Sequence, residues 1–231
     1  MKNYDIEKIV LAIVNYCYKN RIKYIFISGN GASGKTELSK MIKKASTTYG
    51  YVNTIDMDEF VVDTRLRKNA KIEWVDVHTG KKETGTYSTV FPASYFLQNI
   101  NAILYNLKKG NNYWHWPKRA KSEEECIEEF RSDAFLTIVE GVGSVYLARS
   151  ASESLSIFIR CSKDIEIERR IKRGKFSNEQ SRSDVEKQYE DRNKQFESII
   201  LPFAEKHDLQ FESCEDYSCS VVVDKLGVFD V

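Results

Sequence analysis

The sequence has few of the residues that mark disulfide-rich, fibrous or membrane-embedded proteins. Its 231 residues include only three prolines and five cysteines, and no two cysteines form a CxxC pair. An odd set of unpaired cysteines is typical of free thiols in a reducing compartment. The apolar runs are far shorter than the roughly 20 residues that a membrane helix needs, and the N-terminus shows no signal-peptide pattern. We therefore expect a cytoplasmic protein that does not enter a membrane.

An excess of one charge sign is also lacking. Thirty-five basic residues face thirty-four acidic ones, which gives a net charge of +1. That balance provides no bulk attraction to nucleic acid or to an anionic membrane surface. A composition with 42% hydrophobic and 30% charged residues argues against disorder. The length suits a single domain over residues 1–231. Because of the charge balance, we expect no nucleic-acid partner.

Strand-like and helix-like segments alternate along the chain. The hydrophobic spacing predicts helices over 4–20, 35–48, 92–109, 163–173 and 183–205, and strands over 23–28, 51–55, 134–139, 155–159 and 220–223. This alternation predicts an α/β fold with a mainly parallel sheet covered on both faces. Two alternating segments around the turn at 78–81 predict a β-hairpin, within an insertion at about 61–90.

The most specific motif is the segment GNGASGKT, which matches the P-loop pattern GxxxxGK[ST] between a strand and a helix. Its glycines let successive backbone N–H groups turn toward phosphate oxygens, and the following helix adds its N-terminal dipole. The lysine would reach the terminal phosphates, and the threonine hydroxyl would bind Mg²⁺. The predicted ATP-binding residues are Gly29, Asn30, Gly31, Ala32, Ser33, Gly34, Lys35 and Thr36.

Carboxylates follow two of the predicted strands. Asp58 lies in the segment DMDEF after the strand at 51–55, and Glu140 ends the strand at 134–139. Both would lie at the sheet edge that holds the P-loop. Asp58 could accept the proton of an acceptor hydroxyl, and Glu140 could orient Mg²⁺. The alternative is that both residues merely cap or solvate loops.

A basic segment near 163–184 is predicted to form a helical lid. Arg169 and Arg173 stand four residues apart on one helical face, and Arg182 follows the intervening loop. Guanidinium groups can neutralise the charge that spreads over a transferred phosphoryl group, so we predict catalytic roles for Arg169 and Arg173 and an ATP contact for Arg182. Because acidic residues alternate with the basic ones, an exposed helix with surface ion pairs is the alternative.

Taken together, these segments resemble the uridine kinase / phosphoribulokinase family of P-loop kinases. The resemblance rests on SGNGASGKT, DMDEF, the helix after FPA, VEGVGS and IERRIKRG, and it spans roughly residues 22–205. It implies a three-layer P-loop NTPase sandwich with ATP and Mg²⁺ as donor. It implies that Asp58 is the catalytic carboxylate, that Glu140 lies near Mg²⁺, and that Arg169 and Arg173 close on phosphates. It leaves open whether the protein forms a homo-oligomer.

The acceptor side departs from that family. Val61 stands where uridine kinases typically have a tyrosine, and Val90 stands where they have the aspartate that holds ribose hydroxyls. The segment Tyr113, Trp114 and His115 corresponds to the family's base-binding region, so these residues are the predicted substrate contacts. The alternative is that the tryptophans of this segment pack under the hairpin.

The predicted activity is transfer of the γ-phosphoryl group of ATP to a hydroxyl of a small molecule, most simply the 5′-hydroxyl of a uridine- or cytidine-type nucleoside. Two alternatives stay open, namely a non-nucleoside acceptor and an ATP-binding regulatory module. A GTPase is disfavoured because the nearest match to a guanine-reading NKxD motif is NKQF at 193–196. We also predict that the hairpin shapes the choice of acceptor.

Overall fold

A seven-stranded sheet organises the molecule in the computed structural model, which describes residues 3–118, 127–147, 153–172, 182–216 and 218–229. The strands are β1 (Asn3–Tyr4), β2 (Tyr24–Gly29), β3 (Val52–Asp56), β4 (Lys71–Val75), β5 (Lys82–Thr86), β6 (Tyr113–His115), β7 (Glu128–Phe130), β8 (Leu136–Glu140), β9 (Ser154–Arg160), β10 (Leu209–Ser213) and β11 (Cys219–Asp224). The helices are α1 (Ile6–Asn20), α2 (Lys35–Ser46), α3 (Thr64–Asn69), α4 (Leu97–Lys108), α5 (Lys163–Lys172) and α6 (Arg182–Ile199).

The order of strands across the sheet places the P-loop strand near its centre. The order is β1-β11-β10-β9-β2-β8-β3. The pairs from β10 to β3 are parallel, whereas β11 pairs antiparallel with both β10 and β1. Strand β2 therefore lies between β8 and β9, and Asp56 of β3 is in register with Glu140 of β8. The carboxyl ends of β2, β3 and β8 meet at one edge, where open α/β sheets bind ligands.

Helices cover both faces of the sheet, so the molecule has three layers, as the sequence predicted. On one face, α1 and α2 pack their apolar stripes against the isoleucines of β2 and β8. On the other face, α4 packs Ile100 and Ile103 against Phe26 and Val139. Phe196 near the end of α6 and Ile200 just after it join a neighbouring cluster around Phe158. The spacing of these buried residues follows the helical period, which explains why the sequence pattern revealed the helices.

The predicted hairpin is formed by β4 and β5, which pair antiparallel from Lys71↔Thr86 to Val75↔Lys82. It packs against α6, where the Gln195 amide donates to the carbonyl of Thr86. His78 in the turn lies 3.0 Å from the Glu197 carboxylate. The hairpin is thus held by the helix that follows the lid segment.

Several elements differ from the sequence expectations. The helix predicted over 92–109 begins only at Leu97, because Pro92–Ser94 forms a separate 3₁₀ turn. The helix predicted over 183–205 ends at Ile199, and a 3₁₀ turn containing Pro202 follows it. Strand β10, helix α3 and the short β6–β7 ribbon were not predicted. In the part of the chain that the structure describes, every helix is too short or too polar to cross a membrane.

Candidate active site

The P-loop connects the end of β2 to the start of α2. Ala32 and Gly34 adopt left-handed backbone conformations, with φ of 52° and 101°. Such turns direct successive backbone N–H groups to one side and create an anion-binding concavity. A Cβ on Gly29 would lie 1.7 Å from the backbone oxygen of Ile159. Only glycine therefore allows the loop to start beside β9.

The Lys35 side chain lies inside this loop. It is 9% exposed, and its Nζ donates to the carbonyl oxygens of Gly29 at 3.2 Å and Asn30 at 2.5 Å. Burial lowers the pKa of Lys35, while the nearby carboxylates of Glu140, Glu166 and Asp58 oppose that change. A desolvated cation in this position interacts strongly with a phosphate anion.

The predicted metal residues are in direct contact. The Thr36 hydroxyl donates to the Glu140 carboxylate at 2.8 Å, and Glu140 is 4% exposed. Burial raises the pKa of Glu140, and the charge of Lys35 acts in the opposite direction. A hydroxyl and a carboxylate are the oxygen ligands that Mg²⁺ prefers. The described residues contain no cluster of three or more His, Cys, Asp or Glu residues that could hold a metal.

Asp58 lies at the same sheet edge. It belongs to the 3₁₀ turn Met57–Phe60 after β3, and its backbone N–H donates to the Asp56 carboxylate at 2.8 Å. The Asp58 charge acts on both Lys35 and Glu140. A Cβ on Gly141 would lie 2.7 Å from the Cβ of Met57, so the glycine after Glu140 lets this turn approach β8. The geometry thus brings Asp58, Lys35, Thr36 and Glu140 together.

The lid arginine Arg169 has a different environment from the one expected. It is 6% exposed, and its guanidinium donates to Ala32 O at 3.1 Å, Ser213 Oγ at 3.0 Å and Cys214 O at 2.5 Å. These contacts tie the outer side of the P-loop to the loop after β10. A catalytic role for Arg169 stays a prediction. Arg173 and the side chain of Arg182 lie outside the described residues.

Sequence reasoning missed a buried network that joins the P-loop to α5. The Asn30 amide donates to Glu166 at 2.6 Å and to the carbonyl of Cys161 at 3.1 Å, and it accepts from Cys161 N at 3.0 Å. Glu166 also accepts two hydrogen bonds from Arg170. A Cβ on Gly31 would lie 1.9 Å from Nη2 of Arg170. The i,i+4 spacing of Glu166 and Arg170 predicts their ion pair, but nothing local indicates that they reach the P-loop.

The aromatic segment divides between the two sides of β6. The His115 ring stacks on Phe60 of the DMDEF segment at a centroid distance of 4.6 Å, and its Nε2 is buried without a hydrogen bond to any described residue. Burial lowers the pKa of His115. Tyr113 packs against the same cluster as Phe60. Trp114 and Trp116 are 58% and 69% exposed. The tryptophans therefore do not pack under the hairpin.

A cavity of about 450 Å³ opens beside Thr36 and Glu140, between α2, β3 and β7. Its walls carry Lys40 and Lys43 from α2 and four further acidic residues from the β3 and β7 segments, namely Asp56, Glu59, Glu128 and Glu129. Burial raises the pKa of Asp56. The cavity provides access to the Thr36–Glu140 pair from the edge of the sheet.

Three solved structures, two of them of kinases, share this architecture. D-glycerate 3-kinase from Cryptococcus neoformans var. grubii superimposes with a TM-score of 0.60 and 10% identity, covering 94% of this chain and 97% of that one. The YGR205w protein gives a TM-score of 0.62 and 10% identity over 94% and 98%. Phosphoribulokinase from Rhodobacter spheroides gives 0.54 and 15% identity over 84% and 70%. At these identities the likeness establishes the fold alone.

Sequence comparison identifies the family. No curated protein sequence matches the chain. The profile of the Phosphoribulokinase / Uridine kinase family matches residues 24–220, which include the P-loop, the DMDEF segment, Glu140 and the α5 arginines. The chain therefore belongs to the phosphoribulokinase / uridine kinase family of P-loop kinases.

Proposed function

We propose that the protein transfers the γ-phosphoryl group of ATP to a hydroxyl of a small molecule, in a reaction that requires Mg²⁺. The observation that carries this proposal is the meeting of four groups at one sheet edge: the P-loop amides, Lys35, the Thr36–Glu140 pair and Asp58. Phosphoryl transfer depends mainly on positioning and on electrostatic stabilisation, and these groups supply both.

Each group has a distinct task in this mechanism. The loop amides and Lys35 would hold the β- and γ-phosphates, and Thr36 and Glu140 would hold Mg²⁺, which when bound neutralises phosphate charge. Asp58 would accept the proton of the acceptor hydroxyl. The hydroxyl oxygen then forms a bond to the γ-phosphorus, while the bond from that phosphorus to the bridging oxygen breaks and ADP leaves.

The acceptor side favours a non-nucleoside alcohol. Val90 and Phe91, at the place where uridine kinases hold ribose hydroxyls, are each 5% exposed and pack in an apolar cluster with Phe158. Apolar side chains cannot bind ribose hydroxyls there. A nucleoside acceptor is the second candidate, because the Nε2 of His115, which is buried without a hydrogen bond to any described residue, could bind the edge of a base. The four described cysteines are all unpaired, which supports a cytoplasmic location.

The direct test measures ADP release from Mg·ATP with nucleosides, pentoses and small hydroxy acids as acceptors. Asp58→Asn should lower turnover about 10²- to 10⁴-fold, the usual contribution of a general base, and should leave ATP affinity unchanged. Asp133→Asn is the matched control, since Asp133 is an exposed carboxylate paired with Arg131. Retained turnover in Asp58→Asn would remove Asp58 from this role. ATP binding without stimulation by any acceptor would indicate a regulatory module instead.

A further inference from the structure

The cavity beside the Thr36–Glu140 pair has features of a ligand site that the proposed reaction does not use. Its volume of about 450 Å³ falls within the range of small-molecule sites, roughly 300–1,000 Å³. It follows α2 from Thr36 to Lys43 and runs beside β3 to β7. The described residues that line it do not include Lys35 or Asp58. The cavity is therefore larger than an approach to the phosphate site requires.

Three polar side chains on the cavity wall end in buried atoms that have no hydrogen bond to any described residue. Ser39 on α2 is 1% exposed, and its Oγ is one of these atoms. The others are Oγ1 of Thr54 on β3 and Oε2 of Glu59 in the 3₁₀ turn after β3. Burying a polar group without a partner is unfavourable. These atoms therefore mark a place where a ligand or water supplies the missing hydrogen bonds.

The part of the wall contributed by the strands and by the turn after β3 is acidic. Its carboxylates belong to Asp56, Glu59, Glu128, Glu129 and Glu140. The charge of Lys35 offsets that of Glu140. Lys40 and Lys43 also line the cavity, but both are exposed, and Lys40 pairs with Glu37 on the surface at 2.9 Å. The other four carboxylates therefore leave an excess of negative charge.

Most of this negative charge is partly removed from water. Asp56, Glu59 and Glu128 are half-buried. The Asp56 carboxylate accepts a hydrogen bond from the backbone N–H of Asp58, a neutral group that does not balance its charge. Burial raises the pKa of Asp56, and the charges of Glu59 and Glu128 act in the same direction. A ligand that carries positive charge would relieve this repulsion.

The chemistry of the wall indicates an organic cation rather than a metal ion. The described residues contain no cluster of three or more His, Cys, Asp or Glu residues that could hold a metal, so the carboxylates do not converge on one point. An ammonium group donates hydrogen bonds and has no acceptor. Hydroxyls such as those of Ser39 and Thr54 and a carboxylate such as that of Glu59 can all accept from it. Phe60 and Phe130 add apolar surface that can contact a carbon chain.

We propose that this cavity binds a small aliphatic diamine, with its ammonium groups held by Glu59 and the other half-buried carboxylates and its carbon chain against Phe60 and Phe130. Two positive groups joined by a carbon chain match carboxylates that are spread over several elements. Because Lys35 and Asp58 lie outside the cavity wall, this ligand is not the phosphoryl acceptor, and the inference does not depend on the proposed kinase function.

The test titrates putrescine into the nucleotide-free protein by calorimetry at physiological salt, which largely screens the attraction between exposed charges. Butane-1,4-diol has a similar shape without charge, and succinate has the opposite charge. We expect saturable binding of putrescine and no measurable binding of the diol or of succinate. Absence of putrescine binding would overturn the inference and leave a cavity that holds water only. Equal binding of putrescine and the diol would also overturn it, because charge would then not be recognised.

Two variants locate the binding. Glu59→Gln should weaken putrescine binding about tenfold or more, because it removes the charge from a carboxylate with a buried oxygen that can accept from the ligand. Glu73→Gln makes the same substitution at an exposed position on β4 and should bind putrescine as the wild type does. Ser39→Ala is the second variant: it removes a hydroxyl without a hydrogen bond to any described residue, so it should fold as stably as the wild type but bind putrescine severalfold more weakly. Unchanged affinity in both Glu59→Gln and Ser39→Ala would overturn the inference.

A second titration separates the cavity from the donor site. It uses protein saturated with Mg²⁺ and AMPPNP, a non-hydrolysable ATP analogue. Putrescine should still bind, and its affinity should still depend on Glu59. Loss of putrescine binding in this complex would show that putrescine occupies the Mg²⁺ or nucleotide site and would overturn the inference. Failure of AMPPNP itself to bind the wild type would instead refute the proposed kinase function and leave the nucleotide-free result intact.

Discussion

Replacing Asn30 by alanine should weaken the attachment of the P-loop to α5. The Asn30 amide forms three buried hydrogen bonds, two with the backbone of Cys161 and one with the Glu166 carboxylate. An alanine at this position keeps the backbone but leaves the Cys161 N–H, the Cys161 carbonyl and one Glu166 oxygen without this partner. The P-loop would then lose one of its side-chain links to α5, while the hydrogen bond from Arg169 to the carbonyl of Ala32 would remain.

The expected decrease in the free energy of unfolding follows from the kinds of hydrogen bond that are lost. A neutral hydrogen bond contributes about 0.5–1.5 kcal/mol, and one to a charged group contributes about 1.5–3 kcal/mol. Asn30→Ala should therefore lower the free energy of unfolding by about 2.5–6 kcal/mol. Because Glu166 keeps its ion pair with Arg170, we expect a value in the lower half of that range. Folded domains have only about 5–15 kcal/mol of stability, so the change is readily measured.

Asn53 provides a matched control. It is also buried, and its amide donates to Arg131 O and Thr137 Oγ1 and accepts from Arg131 N. The three groups that would lose the Asn53 side chain as a partner are neutral and lie outside the P-loop. The expected loss in the free energy of unfolding for Asn53→Ala is therefore about 1.5–4.5 kcal/mol. Asn53→Ala should leave AMPPNP affinity unchanged, whereas Asn30→Ala should weaken it about tenfold through lost preorganisation.

Urea unfolding followed by circular dichroism, with and without Mg·AMPPNP, measures both quantities. The nucleotide should stabilise Asn53→Ala as much as the wild type and should stabilise Asn30→Ala less. The reasoning is refuted if Asn30→Ala loses less than about 1 kcal/mol, below the range for these bonds, or if both variants bind AMPPNP equally well.

Two further variants test the site. Gly29→Ala should prevent stable folding, because its Cβ would lie 1.7 Å from the Ile159 backbone oxygen. The Cβ of Gly80→Ala meets no atom within 4 Å, so this control should lose only about 1–2 kcal/mol of stability, because its φ is left-handed. Soluble yield and urea unfolding measure the stability of both variants. Glu140→Gln should raise stability at pH 7 and abolish Mg²⁺-dependent turnover. The folded environment raises the pKa of Glu140 and so disfavours its charged form; wild-type stability should accordingly rise toward that of Glu140→Gln as pH falls through the folded pKa. A Glu140→Gln variant that is less stable than the wild type at pH 7 would contradict the predicted direction of the stability change.

Much of the architecture could be predicted because its signals are local. The helical period of α1 and α2, the alternation of β4 and β5, and the glycine spacing of the P-loop each depend on neighbouring residues. The pairing of Thr36 with Glu140 also followed, because parallel strands end at one sheet edge. Helix ends were less predictable near Pro92 and Pro202, where short 3₁₀ turns interrupt the apolar pattern.

The tertiary structure alone decided which arginines and aromatic residues face the site. In the sequence, Arg169 and Arg170 are equivalent neighbours on a basic helix. In the fold, Arg169 binds carbonyls behind the P-loop, while Arg170 lies on Gly31. Periodicity specifies which residues share a face of an element, but the partner of that face is set by contacts between residues more than a hundred positions apart, such as Asn30 and Glu166.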